Sequence, residues 1–265
     1  MKYLSSAQNP HLKHLAGLLS SSKARRKHRQ TVLEGVHLAD AYLQSGGRPL
    51  LALIPEGKAD KPEIRGLSAR LPPDRTLSAS SAALAKISAL SDGEDIMLMI
   101  PLPEDGLPPL AGDCVALERV QDPGNLGAIL RSAAAAGIRE IVLSPDCADA
   151  WSPKVLRAAM GAHFLLNIHS RISLPEWCSR YGGPIWATAL GGPDNTDLYR
   201  LNLAAPCAWL FGNEGAGLSG AVLRYASSAV KIPMAGATES LNVAMAATVC
   251  LFEQMRQRLY HSGLK

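Results

Sequence analysis

Apolar residues first recur at helical spacing. Leu12, Leu15, Leu18 and Leu19 follow Asn9-Pro10, a pair that starts helices, so the spacing predicts a helix with one apolar face. Thr31 to Glu34 reads as a short strand, Val36 to Gln44 as a helix stopped by Gly46-Gly47, and Leu50 to Ile54 as a second strand. Residues 62–69 and 80–89 are further helix candidates, and residues 95–100 close this part as a strand. This alternation makes residues 1–101 a small α/β layer domain. The next stretch, Pro101-Leu102-Pro103-Glu104-Asp105-Gly106-Leu107-Pro108-Pro109, is rich in proline and has no period, so it reads as a linker over 102–112.

Beyond it, in residues 113–265, the alternation becomes regular. Strands are expected near 113–119, 139–144, 165–169, 184–190, 206–211 and 229–232, and helices near 125–136, 152–160, 174–181 and 219–226. A long helix over 242–260 carries Leu241, Met245, Thr248, Phe252, Met255 and Leu259 on one stripe. The pattern predicts an α/β fold with a mostly parallel sheet. At three places an apolar run ends in polar or glycine-rich residues before a helical pattern begins, which is how such folds build a ligand site at the carboxyl ends of their strands.

Composition narrows the class. With 47% hydrophobic and 19% charged residues, the 265-residue chain has the apolar mass for a core and is not a disordered composition. No apolar run approaches the roughly 20 residues of a membrane span, and the start lacks the apolar core of a signal peptide, so a cytoplasmic protein is expected. Five scattered cysteines without a Cys-x-x-Cys pair read as reduced thiols. The formal charge of +4 is mild, but Lys23-Ala24-Arg25-Arg26-Lys27-His28-Arg29 carries five positive charges and no negative one. Basic character is therefore a local patch.

The three strand ends are specific. They are Asn125-x-Gly127-x-x-x-Arg131, then Gly212-Asn213-Glu214-Gly215, then Ile232-Pro233-Met234 followed by Ser240-Leu241-Asn242-Val243. In this order they resemble the motifs of the SpoU (TrmH-type) RNA 2′-O-ribose methyltransferases of the SPOUT superfamily, and the match covers about residues 113–260. The resemblance implies a catalytic domain over 113–265 whose carboxy-terminal segment, around residues 206–242, threads a trefoil knot. It also implies a small amino-terminal domain similar to the ribosomal L30e fold, a cofactor, S-adenosyl-methionine, no metal, and a homodimer through the knotted domain.

Each residue also has an ordinary reading. Asn125 lies where a helix N-cap belongs, and Ser240 and Asn242 precede an apolar helix, so all three could be caps. Arg131 could be a surface arginine, the glycines of 212–217 a turn, and Ile232 to Met234 a buried strand end. The resemblance instead makes Arg131, Asn125, Glu214, Ser240 and Asn242 the catalytic set. It makes Gly212, Ile232, Met234 and Leu241 the donor-binding set. A guanidinium is a poor base, so Arg131 is expected to orient the nucleotide and stabilise the forming alkoxide. Glu214 could bind Arg131 or a positively charged ligand. Lys23, Arg25, Arg26, Lys27 and Arg29 are expected to neutralise RNA phosphates.

Rival classes are weaker. The Gly-x-x-x-x-Gly-Lys-[Ser/Thr] loop of nucleotide hydrolases is absent, and neither glycine cluster spells Gly-x-Gly-x-x-Gly. A catalytically silent RNA-binding or ribosome-assembly protein of the same fold stays open. A ribose 2′-hydroxyl substrate means RNA and excludes DNA. By resemblance, ribosomal RNA is favoured over transfer RNA.

Overall fold

The structure, a computed structural model, describes residues 3–6, 8–88, 95–104, 106–188 and 195–261. It divides into two compact units, residues 1–104 with 151–164, and residues 105–150 with 165–265.

The first unit runs β1 (Tyr3–Leu4), α1 (Pro10–Ser20), α2 (Ser22–His28), β2 (Gln30–Glu34), α3 (Val36–Gln44), β3 (Leu51–Pro55), α4 (Pro62–Ser68), β4 (Thr76–Ala79), α5 (Ser81–Ala85) and β5 (Met97–Pro101). The strands form a mixed sheet in the order β1-β4-β3-β5-β2. Strand alternation sorts their side chains to two faces. Val32, Leu51, Leu53 and Met97 join Leu12, Leu15, Leu18 and Leu19 of α1. Their neighbours Leu33, Ala52, Ile54 and Leu98 join Leu38, Ile64 and Leu67 on the other side. Every residue of the central β3 is buried, as expected of a strand covered on both faces. Helix α1 starts as its sequence indicates, with Pro10 in the first turn and the Asn9 side chain accepting from the His11 amide at 2.9 Å.

The basic segment is itself helical. Ser21 ends α1 and caps α2, its hydroxyl accepting from the Ala24 amide at 3.2 Å. This arrangement corrects the expectation for Arg25, whose side chain is buried and donates through Nη1 to the carbonyls of Leu18 and Leu19 at 2.5 and 3.4 Å. Orphan carbonyls at the end of α1 need donors, and Arg25 supplies them from one helix on. Arg29, in the left-handed region at φ 53°, is exposed and donates to the Pro103 carbonyl, so its charge is partly committed to the chain. Lys23, Arg26 and Lys27 are exposed. Arg25→Ala is expected to destabilise the first unit by about 1–3 kcal/mol, as for buried partners left unsatisfied. Chemical denaturation would read this as a lower midpoint.

Residues 151–164 pack with this first unit, whereas the sequence sets them in the second domain. They form α7 (Pro153–Ala159) and a 3-10 turn, Ala162–Leu165, whose last residue falls in the second unit. Leu156, Trp151 and Phe164 complete the α3–α4 side of the core, and the Phe164 ring lies 5.2 Å from that of Tyr42.

The second unit contains β6 (Cys114–Leu117), α6 (Pro123–Ala135), β7 (Glu140–Leu143), β8 (Asn167–His169), α8 (Leu174–Arg180), β9 (Ile185–Thr188), β10 (Thr196–Asp197), β11 (Ala208–Phe211), α9 (Gly220–Leu223), β12 (Ser228–Lys231) and α10 (Val243–His261). All seven strands are parallel, in the order β10-β12-β9-β11-β6-β7-β8. Trp209 and Phe211 of β11 are completely buried at its centre. The Trp209 indole donates at 2.6 Å to Gln254 of α10, and Gln254 donates to Asp113, which also pairs with Arg258 at 2.6 Å. This polar network anchors the end of α10 beneath the amino end of β6.

Three strands, β1, β4 and β10, were not visible in the hydrophobic pattern, and the expected 80–89 and 219–226 helices are shorter, at Ser81–Ala85 and Gly220–Leu223. Ala89, residues 189–190 of the expected 184–190 strand and Asp105 of the linker lie outside the described residues. The apolar stripe of α10 is not its buried face. Ala244, Ala247, Cys250 and Leu251 are buried, while Met245, Phe252 and Leu259 are 53%, 39% and 42% exposed. No helix among the described residues is long and apolar enough to cross a membrane.

Candidate active site

The site forms where β6, β11 and β12 end. Helix α6 begins three residues sooner than Asn125 would require as a cap. Asp122 is the N-cap, its carboxylate accepting from the Asn125 amide at 2.7 Å, and Pro123 opens the first turn. Asn125 therefore stands inside the helix with its side chain free for another purpose. That is a correction to its reading as a cap. Asn242 is the residue that caps, its Oδ1 accepting from the amides of Ala244 and Met245 at 2.9 and 3.3 Å at the start of α10.

After β11 the chain makes a closed loop. Asn213 and Gly217 exchange both backbone hydrogen bonds, at 3.1 and 2.9 Å, and the Asn213 Oδ1 accepts from the Gly215 and Ala216 amides, each at 3.0 Å. Gly212 makes the loop possible. A Cβ on it would lie 2.3 Å from the Gly217 carbonyl carbon and 2.4 Å from the Leu218 nitrogen, so only glycine permits this backbone approach.

The loop aims Glu214 back at the start of α6. Its carboxylate accepts from the Asn125 Nδ2 at 3.1 Å, from the backbone amides of Asp122 and Gln121 at 3.2 and 3.5 Å, and from the Asn213 Nδ2 at 3.3 Å. Asn242 then donates to the Asn125 Oδ1 at 2.9 Å. One hydrogen-bonded line, Asn242 to Asn125 to Glu214, thus joins all three sequence motifs.

Desolvation alone would push the Glu214 carboxyl up. The donors from Asn125 and from the backbone of Asp122 and Gln121 outweigh it and hold the group below its ordinary value. The sign follows from linkage. A depressed carboxylate adds stability that is fully present above the unfolded value and is lost as pH falls through the folded one. The loop is therefore expected to stay ordered from neutrality down through the ordinary carboxylate value of 4.5 and to loosen only below it. The Asn125 side-chain amide resonance would follow this, and Glu214→Gln would abolish the transition.

Arg131 lies six residues after Asn125, about 240° further round the helix, and so on a different face. It is exposed and forms no hydrogen bond or ion pair among the described residues. Glu214 is satisfied by amides, so the expected Glu214–Arg131 pairing is not made. Ser240 is exposed, and its hydroxyl has no partner among the described residues. Ile232 and Met234 are half-buried and Leu241 is 39% exposed.

Residues outside the motifs complete the frame. Glu118 is buried and accepts at 2.6 Å from both the amide and the hydroxyl of Ser219, which holds the start of α9. Asp122-Pro123 carries a capping signal that sequence could have offered. Arg119 carried none.

A seven-stranded parallel sheet with a polar centre of amides and one carboxylate at its carboxyl ends defines an α/β protein with a polar site at its strand ends. Residues 113–252 match the SpoU rRNA Methylase family. Over 96% of its length the chain is 36% identical to an uncharacterized tRNA/rRNA methyltransferase of Synechocystis, covering 94% of that protein. Over 95% it is 30% identical to the 23S rRNA (guanosine(2553)-2′-O)-methyltransferase RlmP of Bacillus subtilis, covering 98% of it. The SpoU methyltransferase AviRb of Streptomyces viridochromogenes, solved with the cofactor AdoMet, superposes with a TM-score of 0.83 at 28% identity, with 95% of this chain and 99% of that one covered. The chain belongs to the SpoU rRNA methylase family, and its fold is that of the SpoU methyltransferases.

Proposed function

We propose that the second unit transfers a methyl group from S-adenosyl-methionine to a ribose 2′-hydroxyl of ribosomal RNA, at a centre formed by Asn125, Arg131, Glu214, Ser240 and Asn242. The observation that carries this is the Asn242–Asn125–Glu214 line, which ties three distant motifs into one rigid polar centre. S-adenosyl-methionine, the cofactor of this methyltransferase, supplies an activated methyl. What the protein must add is alignment of oxygen, carbon and sulfur, and holding reactants in line supplies much of a rate. Gly212, Ile232, Met234 and Leu241 hold the donor, through close backbone approach and apolar walls. Ser240 and Asn242 position the ribose. Arg131 binds the flanking phosphate and stabilises the alkoxide as the 2′-hydroxyl loses its proton.

Two features support a trefoil knot around residues 206–242. Strand β11 lies between the earlier β9 and β6, and the segment that follows it returns over the carboxyl ends to reach Asn125. A homodimer is supported by the exposed stripe Met245, Phe252 and Leu259, since monomers rarely leave such apolar faces uncovered. The first unit, with its own two-faced core, is proposed as the L30e-like RNA-binding domain. Lys23, Arg26 and Lys27 are its phosphate contacts, and the 2′-hydroxyl requirement makes RNA the substrate and not DNA. Replacing these three by alanine is expected to lower the salt slope of RNA binding by about two to three units, which a salt titration would measure. The cytoplasm, where five unpaired cysteines stay reduced, is the proposed location. The Bacillus subtilis relative is named for a nucleotide of 23S rRNA, which favours ribosomal over transfer RNA here. Labelled methyl transfer to unmodified ribosomal RNA and, separately, to transfer RNA tests the proposal. Label in ribosomal RNA is expected, and label in transfer RNA alone would reverse the assignment.

A further inference from the structure

Arg119 closes β6 in the left-handed region, at φ 56°, a conformation that suits glycine better than a residue with a side chain. Its amide donates to the Ser144 hydroxyl at 2.9 Å at the end of the neighbouring β7, which fixes the turn. The turn sends its carbonyl and its side chain to opposite ends of one loop. The carbonyl accepts from the Asn213 Nδ2 at 2.9 Å, and the guanidinium Nη2 donates to the Gly217 carbonyl at 3.3 Å. Glu214 lies between those two anchors.

We propose that Arg119 is a positioning residue for methyl transfer, setting the Asn213–Gly217 loop against β6 so that Glu214 meets Asn125. The loop does not need Arg119 to close. Its own bonds between Asn213 and Gly217, and from Gly215 and Ala216 to Asn213, already do that. What Arg119 adds is the place of the closed loop relative to α6, and with it the reach of the Glu214 carboxylate to Asn125 and to the amides of Gln121 and Asp122. The guanidinium also lies 3.8 Å from the Glu118 carboxylate, which orients it without taking it from Gly217. Its Nε is buried with no partner among the described residues, although the side chain as a whole is 36% exposed. The inference rests on the reading that Asn125 and Glu214 belong to the catalytic centre.

Arg119→Gly is the informative variant, because glycine accepts the backbone conformation and keeps the carbonyl bond to Asn213 while removing the guanidinium. In the full chain it is expected to lower kcat by about tenfold to a hundredfold, the scale of a small misplacement near the chemistry. The dissociation constant for S-adenosyl-methionine and the melting temperature should stay close to the parent's. The acid limb of the pH–rate profile should move to higher pH, as a loosened Glu214 loses the donors that hold its carboxyl down. Arg119→Lys, which can still reach the Gly217 carbonyl, is expected to recover most of the loss. Parent-like kcat in Arg119→Gly overturns the proposal. Donor affinity falling as far as kcat also overturns it and makes Arg119 part of the donor pocket. Glu214→Ala, run alongside, isolates the underlying reading. Full activity there removes Glu214 from the centre whatever Arg119 does, whereas an inactive Glu214→Ala with a parent-like Arg119→Gly rejects only the positioning role.

Discussion

Replacing Arg131 by alanine is expected to lower kcat for methyl transfer by about 10²–10³-fold, the cost of removing one preorganised donor to a developing oxyanion. The dissociation constant for S-adenosyl-methionine should be unchanged. The expectation rests on how the structure leaves this side chain. Three other polar groups of the centre are tied to the protein: Glu214 to four donors, Asn125 to Glu214 and Asn242, and Asn242 to the start of α10. Arg131 is exposed and its side chain has no partner among the described residues, so its charge remains for a phosphate or an alkoxide. Arg131→Lys should recover only part of the rate, because a lysine offers a point charge where the guanidinium offers a planar fork. Single-turnover kinetics with donor binding measured separately would check both variants. A kcat within threefold of the parent in Arg131→Ala would remove Arg131 from the mechanism.

The second large effect is expected at Gly212. A methyl group there would meet the backbone of Gly217 and Leu218 at 2.3–2.4 Å, and backbone cannot turn aside as the tip of a side chain can. Gly212→Ala must therefore displace the whole 213–217 loop. Overpacking of this kind costs about 1–3 kcal/mol. The functional loss should be larger than the loss of stability, because Glu214 leaves Asn125 and the backbone contact proposed for the donor at Gly212 is blocked. Transfer is expected to fall by at least about a hundredfold and donor affinity by about tenfold. Gly215→Ala is the control. Its nearest neighbour is the Asn213 Oδ1 at 3.7 Å, an ordinary contact, so it should be tolerated. Calorimetric titration of the donor and a denaturation midpoint on both variants would separate the two cases.

How far the sequence carried the reading depended on the length and regularity of each element. Leu12, Leu15, Leu18 and Leu19 are all buried, as their helical spacing requires. In the second unit β6 (Cys-Val-Ala-Leu), β9 (Ile-Trp-Ala-Thr) and β11 (Ala-Trp-Leu-Phe) lie on apolar runs of three or four residues. β1 and β10, at two residues each, are too short for any period to register, and β4 reads Thr-Leu-Ser-Ala with one large apolar side chain. Arg25 shows a different limit. Charge in a run of basic residues says nothing about which member turns inward to serve the end of the preceding helix. The motif residues were legible, but their connections were not. Asn125, Glu214 and Asn242 are 89 and 28 residues apart in succession, and only the fold of the parallel sheet brings their amides and carboxylate within 3.1 Å of one another in sequence along a line. Arg119 was invisible because its role depends on a backbone angle.

The measurement that bears most directly on the central claim is the chemical position of the transferred methyl. Ribosomal RNA labelled by the protein with S-adenosyl-methionine would be digested to nucleosides and resolved by mass spectrometry. A single 2′-O-methylated nucleoside is predicted, its initial rate of formation reduced by at least about a hundredfold with Asn125→Ala or Arg131→Ala. A methyl group on a base, or a parent-like rate of ribose methylation from both variants, would contradict it.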